Sequence, residues 1–448
     1  MGCSKSISKA TTGALMVFLG SGHVWSAELP KSNGFLEDST LTGGLKNYYF
    51  NRDFRNGGSN GRTASPNGYR ADWAQGVTLD FRSGFTQGVL GFGLDAYAYA
   101  GLKLDSGQGR AGSLLVPIKN DGHPADQYSI AGAALKMRFR DTVLKYGNME
   151  FRSAPIFYQD GGNGRLLPQT ATGWQLISND FKPFTFEGAH ITAAKSGVQN
   201  TNAGVMQSQY GGVQADRVDY AGGSYQSKAF NASLYTLQAQ DLWRQHLLMG
   251  KYLFPINEQW SSGLNFVLYR TTDLGAARGG DIDNTTWSLA HSINYLNHSL
   301  TLAYQKVEGD EPFDYLGYED KLSTIPFLAN ISTIHDFNAP HERSWSLRYD
   351  LDFAAYGVPG LNLTARYIRG RGGKGSDIDP TSPYARVGFK DDERHWERDI
   401  DLRYVVQSGK AKGLLLRVVY ATTRANSAEP RGDMDEVRII TQYPFKVF

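Results

Sequence analysis

The connections between alternating segments constrain this chain more than any other feature of its sequence. Segments in which every second residue is apolar recur along it. Residues 344–353 are the clearest case. Trp345, Leu347, Tyr349, Leu351 and Phe353 fall on one face, and Ser344, Ser346, Arg348, Asp350 and Asp352 on the other. A period of two with one apolar face is a β-strand. About ten such residues suffice to cross a bilayer at a tilt. Eight short connections fall at 82–88, 140–142, 180–183, 226–229, 255–259, 296–298, 356–359 and 408–412. They alternate with nine long, Gly- and Asp-rich ones at 51–72, 104–126, 147–173, 195–216, 238–245, 271–284, 308–343, 370–397 and 423–435. Connections sort by end in this way only in an up-and-down meander. The pattern predicts an all-β fold: a transmembrane antiparallel up-and-down β-barrel of about 18 strands, with short periplasmic turns and long extracellular loops. A soluble sandwich has no reason to sort its loops by end.

Composition excludes other classes. Mean hydropathy is −0.41, which excludes a bundle of apolar membrane helices. The 12% of aromatic residues exceeds what a disordered chain carries. The start reads as a secretory signal peptide over 1–27: Lys5 and Lys9, an apolar run at 14–19, then small residues, with cleavage after Ser26 or Ala27. Residues 28–448 are then expected to form a single transmembrane barrel domain. The chain's one cysteine, Cys3, goes with the signal, so no disulfide or thiolate metal site is expected. Removing Lys5 and Lys9 takes the 46 basic residues to 44, equal to the 44 acidic ones. A neutral exported protein gives no charge argument for nucleic acid. The terminal Phe448, after an alternating strand, is similar to a signal for the outer-membrane barrel-assembly machinery, although Pro444 interrupts the alternation.

Three stretches resemble the OprD family of substrate-specific outer-membrane porins: LKYGNMEF…SAPIFYQDGGNGRLLPQTATGW (144–174), GDEPFDYLG…FLANI…DFNAPHERSW (309–345) and RYDLDFAAYGVPGLNLTARYIRG (348–370). The likeness runs from FLEDSTLTGGLKNYYFNRDFR (35–55) to the end. It implies an eighteen-stranded barrel in the Gram-negative outer membrane, surrounded by lipid and lipopolysaccharide, as a monomer or loose homotrimer. It also implies passive uptake of small, mostly carboxylated solutes. Amino acids or short peptides are the alternative within the same fold. A barrel hydrolase is the alternative from another class. No catalytic, cofactor or metal motif appears: no Gly-x-Ser-x-Gly, His-Glu-x-x-His or Walker sequence, and no pair among the nine His at metal-ligand spacing. The expectation is a channel, not an enzyme.

In a barrel, the parity opposite the apolar face names the lumen. By that rule Lys136, Arg138, Arg348, Arg366, Arg403 and Arg438 point inward. Arg417 lies on a strand apolar on both parities and is added with them. A cation facing lipid near the midplane costs about 2–4 kcal/mol. A file of Arg and Lys suits carboxylates, and the residues look like the family's basic ladder. The competing reading pairs each Arg with an inward acid such as Asp350, Asp352, Asp399 or Asp401. The Gly-rich segment 148–173 is the candidate constriction, and the resemblance implies that this third outer loop folds inward. Ser153, Tyr158 and Arg165 are its candidate solute contacts. The acidic loop 308–343 is expected to bring Asp310 and Asp314 to the eyelet opposite the basic wall and set up a transverse field. Glu319 and Asp320 are read as solvated.

Overall fold

The computed structural model describes residues 32–448 except 64, 162, 163 and 321. The signal segment 1–27 lies outside the described residues. Eighteen antiparallel strands, from Thr40–Phe54 to Met434–Lys446, form one sheet in chain order. The first strand pairs with both the second, Tyr69–Arg82, and the last, so the sheet is a closed barrel with no free edge. Closure is what lets strands cross hydrocarbon, because every backbone group then has a partner. Among the described residues helical structure is limited to three 3-10 turns, and no helix is long and apolar enough to cross a membrane. Pro444 stays in register opposite Gly44 without a bulge.

The alternation inverts the usual burial. Leu135, Leu234, Leu302 and Leu347 are exposed on the outer face, whereas Gln245, Gln305, Glu397 and Thr423 are buried inside. Lipid-facing aromatic residues gather in two bands. At the short-turn end Phe184, Tyr225, Phe230, Tyr252 and Phe254 form a chain of ring contacts 4.1–6.4 Å apart. Toward the long-loop end stand the pairs Tyr146–Trp174 and Trp287–Tyr304, and the run Trp345–Tyr367–Trp396. Such girdles mark the two interfaces of a membrane barrel.

All eight short connections occupy one end. One of the nine at the other end is not long. Strands Phe230–Ala239 and Trp243–Pro255 pair to their tips, leaving only a tight turn at 240–242 where Asp241 adopts φ 55°. The polar residues of 238–245 suggested a loop, but some of that polarity is lumenal. Gln245 points inward, its Nε2 donating to Thr271 Oγ1 at 3.0 Å and to the Asp314 carbonyl at 3.1 Å.

Candidate permeation pathway

The wall arginines sit on the last five strands, and register explains their grouping. Arg348 lies opposite Arg366, and Arg403 opposite Arg417. Like charges placed directly across a sheet repel. Acids on the same faces offset this. Arg348 donates to Asp350 from Nε and Nη2, both at 2.8 Å. Arg366 donates to Asp399 at 2.7 and 3.1 Å, and Arg417 to Asp401 at 2.6–3.0 Å. Arg438 pairs with Glu436, which also takes Arg52. The pairing alternative is therefore real at the level of geometry. Pairing does not abolish the excess of positive charge. One cavity of about 420 Å³ is lined by Lys46, Arg403, Arg417 and Arg438 against a single acid, Asp401. A second, of about 290 Å³, is lined by Lys251, Arg348 and Arg366 against Asp350.

Lys136 and Arg138 do not join these groups. They lie beside the first short turn, where Phe85 folds inward beneath them. Lys136 Nζ reaches Asp95 at 2.6 Å and the Ser83 carbonyl at 2.7 Å. Both cations lie over the Phe85 ring, 4.9 and 4.7 Å from its centre. Near neighbours in sequence, they cap the short-turn end rather than extend a single file.

The third outer loop lies inside the barrel. Its Gly164 carbonyl accepts from Tyr48 Oη at 3.2 Å, and its Arg165 carbonyl accepts from Lys46 Nζ. Phe157 is fully buried and stacks on Tyr220 of the wall, 6.2 Å away, two strands beyond the one the loop leads into. The three candidate contacts are mostly engaged by protein. Ser153 Oγ donates to Glu187 at 2.7 Å. Tyr158 meets Phe327 edge-on at 5.5 Å, and its carbonyl accepts from Ile325 N–H. Arg165 lies 5.7 Å from the Phe50 ring and donates to the Gly164 carbonyl at 2.7 Å. Two residues of the Gly-rich run 160–164 lie outside the described residues.

The acidic loop requires a correction. Asp310 is exposed and pairs with His341 at 2.9 Å, in a group with Asp377, rather than with a wall arginine. Asp314 is buried and accepts backbone N–H groups from Tyr210, Gly211 and Tyr315 at 2.7–3.1 Å. It therefore joins the loops 196–217 and 309–342 rather than lining an eyelet. A small sheet of Leu316–Tyr318, Met206–Ser208 and Gln214–Ala215 completes that joint. Asp320 is not simply solvated, since it bonds Ser196 and takes Arg62 on its carbonyl. The acids beside the main cavity come from elsewhere. Asp80 and Glu150 line a cavity that shares Lys46 with the main one, and both accept from Tyr99 Oη at 2.8 Å.

The middle of the same loop carries a role that its acidic ends conceal. Residues 325–335 enter the lumen. Ala329 N–H donates to Ser288, and Asn330 reaches Gln305 and Ser344. Carbonyls of Ile331 and Thr333 accept from Arg366 and Arg438, each at 3.0 Å. The pore is thus narrowed by two inserted loops, with wall arginines fastened to one of them. The sequence signal was present: Ile325-Pro326-Phe327-Leu328-Ala329 is too apolar for a solvated loop. Lys46, Lys251, Asp80 and Glu150 were also missed, as single charges without a repeated pattern.

Burial pushes the Asp314 carboxyl up to about 6 and Glu311 up to about 7, so both favour the neutral form in the docked loops. The sign follows. Docking gains from protonation below the ordinary carboxylate range and loses that gain as pH rises through 6 to 7. The outer loops should resist limited proteolysis better at pH 5 than at pH 7.5, relative to an unfolded substrate. Asp314→Asn should reduce the difference and the double change with Glu311→Gln should remove it. An unchanged difference in the double variant would assign the effect to other groups.

Comparison with known proteins agrees with this architecture. A family model described as outer membrane porin, OprD family, matches residues 33–447. Porin D of Pseudomonas aeruginosa is 44% identical over 423 residues, covering 93% of each chain. The crystal structure of Pseudomonas aeruginosa OprD superposes with a TM-score of 0.81 at 40% identity, covering 94% of this chain and 99% of that one. Pseudomonas aeruginosa OpdK, solved with vanillate, gives a TM-score of 0.78 at 32% identity, covering 92% of this chain and all of its own.

Proposed function

The chain belongs to the OprD family of outer-membrane porins, and from that footing we propose that it admits small carboxylate-bearing solutes by passive diffusion along its basic wall. One observation carries the reading: Lys46, Arg403, Arg417 and Arg438 converge on one lumenal cavity against Asp401 alone. An anion gains there from several cations in turn. Several shallow steps favour flux, because the solute must also leave. Acid partners hold the guanidinium forks of Arg366, Arg417 and Arg438 in place, so little side-chain freedom is lost when a carboxylate arrives. Vanillate, seen in the OpdK crystal, is an aromatic carboxylate and fits this class. Aromatic and aliphatic acids both belong to the proposal.

A second reading rests on Asp80 and Glu150, which line, with Lys46, Arg82 and Arg152, a cavity that adjoins the main one. Opposed charges of this kind suit zwitterions, so amino acids or short peptides form the alternative. Liposome-swelling rates separate the two. Benzoate outpacing benzyl alcohol supports the carboxylate reading. Amino acids outpacing both, with benzoate no faster than the alcohol, would replace it with the zwitterion reading. A hydrolase fits less well. One pairing of a Ser hydroxyl with a His ring, Ser262 Oγ to His291 Nε2 at 2.8 Å, lies on the outer, lipid-facing parity.

A further inference from the structure

Above the eyelet the loop 309–342 packs against the outer end of strand Glu393–Val405 and the loop 426–433. Two histidines and three glutamates meet there: His335, His395, Glu342, Glu393 and Glu429, all buried. The cavity between them is about 10 Å³, enough for one bare ion or one water. Some of their polar atoms have partners, Glu342 accepting from the Ala339 N–H and Glu429 from the Arg431 N–H, each at 3.0 Å, and others have none. His335 Nε2, His395 Nδ1 and both Glu393 oxygens have no hydrogen-bond partner. Arg431 lines the same cavity, but its guanidinium makes its hydrogen bonds to other groups: it donates to the Ile334 carbonyl at 2.6 Å and to Tyr210 Oη, and lies 3.8 Å from Asp336. Burying the Glu393 carboxylate without a donor is costly.

We propose that this pocket binds one divalent transition-metal ion of the zinc class, with His395 as the ligand common to two sets, His335/His395/Glu429 and Glu342/Glu393/His395. Within each set the ligand atoms lie within 4.8 Å of one another. Tetrahedral zinc with N and O bonds near 2.0–2.2 Å holds its ligand atoms about 3.3 Å apart. His395 Nε2 is 3.4 Å from Glu393 Oε1, and His335 Nδ1 is 3.6 Å from Glu429 Oε1. His395 Nε2 to Glu342 Oε1 is a 2.7 Å hydrogen bond that would open slightly. The Phe337 ring, stacked at 4.3 Å, holds the His395 imidazole in place. Glycine makes the room: a Cβ at Gly370 would lie 1.9 Å from Glu342 Oε1, and one at Gly373 would lie 2.2 Å from Glu393 Oε2. Imidazole ligands select zinc, cobalt, nickel or copper over calcium and magnesium, which prefer oxygen alone. Sequence spacing hides the site, because its histidines are brought together by the fold alone. Bound metal would rivet the loop whose Ile331 and Thr333 carbonyls hold Arg366 and Arg438.

The test uses the full-length folded protein in detergent, stripped with chelator, offered Zn²⁺, Co²⁺ or Ca²⁺ and desalted. Metal analysis should find about one Zn²⁺ per folded chain and no Ca²⁺. The Co²⁺ form should show the visible absorption of a low-coordinate nitrogen and oxygen site. Glu393→Gln, which keeps its volume, and His335→Ala should each weaken uptake by ~10-fold or more. His341→Ala alters the exposed cluster of Asp310, His341 and Asp377 and should leave uptake unchanged. No Zn²⁺ uptake by the folded wild type, or an octahedral Co²⁺ spectrum, overturns the proposal whether or not a variant folds. So does wild-type uptake by Glu393→Gln and His335→Ala, or its loss in His341→Ala.

Discussion

Deleting residues 156–165 raises single-channel conductance severalfold in planar bilayers. The segment includes Phe157, which fills the space beside Tyr220, and the Arg165 carbonyl that receives Lys46. Removing it opens the cross-section and frees Lys46 into the widened lumen. The barrel should survive. Met149 and Ala171 are register partners on adjacent strands, so the remaining residues close a short gap at little entropic cost. Heat-modifiable electrophoretic mobility checks that the barrel has folded. Unchanged conductance in a folded barrel would place the limiting constriction in the second inserted loop, residues 325–335. Deletion there would lower barrel stability as well, because Glu397 takes its Ile334 and His335 N–H groups.

Neutralising the acid and a base of the main cavity should move selectivity in opposite directions. The lining holds four cations and Asp401. Asp401→Asn removes the one negative charge and should speed uptake of carboxylates at low salt. Arg403→Gln removes one positive charge and should slow it. A unit charge about 4 Å away is worth about 1 kcal/mol in water-like surroundings and about 4 kcal/mol at an effective dielectric near 20. A hydrated but narrow lumen lies toward the lower end, at about 1–2 kcal/mol, or about five- to thirty-fold in local anion occupancy. Neutral solutes of equal size should pass both variants unchanged, and high salt should shrink both effects. Equal slowing of charged and neutral solutes would mean that these groups shape the pore without selecting its traffic. Arg417→Gln should be the most severe single change, since it also leaves Asp401 without the fork that donates to it at 2.6–3.0 Å.

Strand parity is a local property, so it was legible. Leu347 and Tyr349 bracket Arg348, Leu402 and Tyr404 bracket Arg403, and the larger apolar side chains face lipid whatever the rest of the barrel does. Arg417 resisted parity alone because Leu415 and Leu416 are adjacent and both apolar. Only the register opposite Arg403 resolves it. The eight tight turns were legible for the same reason as the strands: alternation stops where the chain reverses. The turn at 240–242 was not, because a lumen-facing Gln reads like a loop residue when its partners across the sheet are unknown.

Contacts made across long sequence separations decided the rest. Asp314 reads as an eyelet acid, yet it is buried by backbone donors about a hundred residues earlier. Lys136 and Arg138 share the inward parity of the other cations but stand at another height and on another wall, which parity does not encode. The two inserted loops, the cavity of Asp80 and Glu150 beside the basic wall, and the meeting of His335 with His395 depend on how a closed barrel brings distant strands together. The sequence by itself determined the alternating strands, the meander and the face of every wall arginine but Arg417, because those follow from a two-residue period in contact with lipid. The tertiary structure alone decided which charges meet, because a barrel's circumference and stagger set neighbours that no local pattern records.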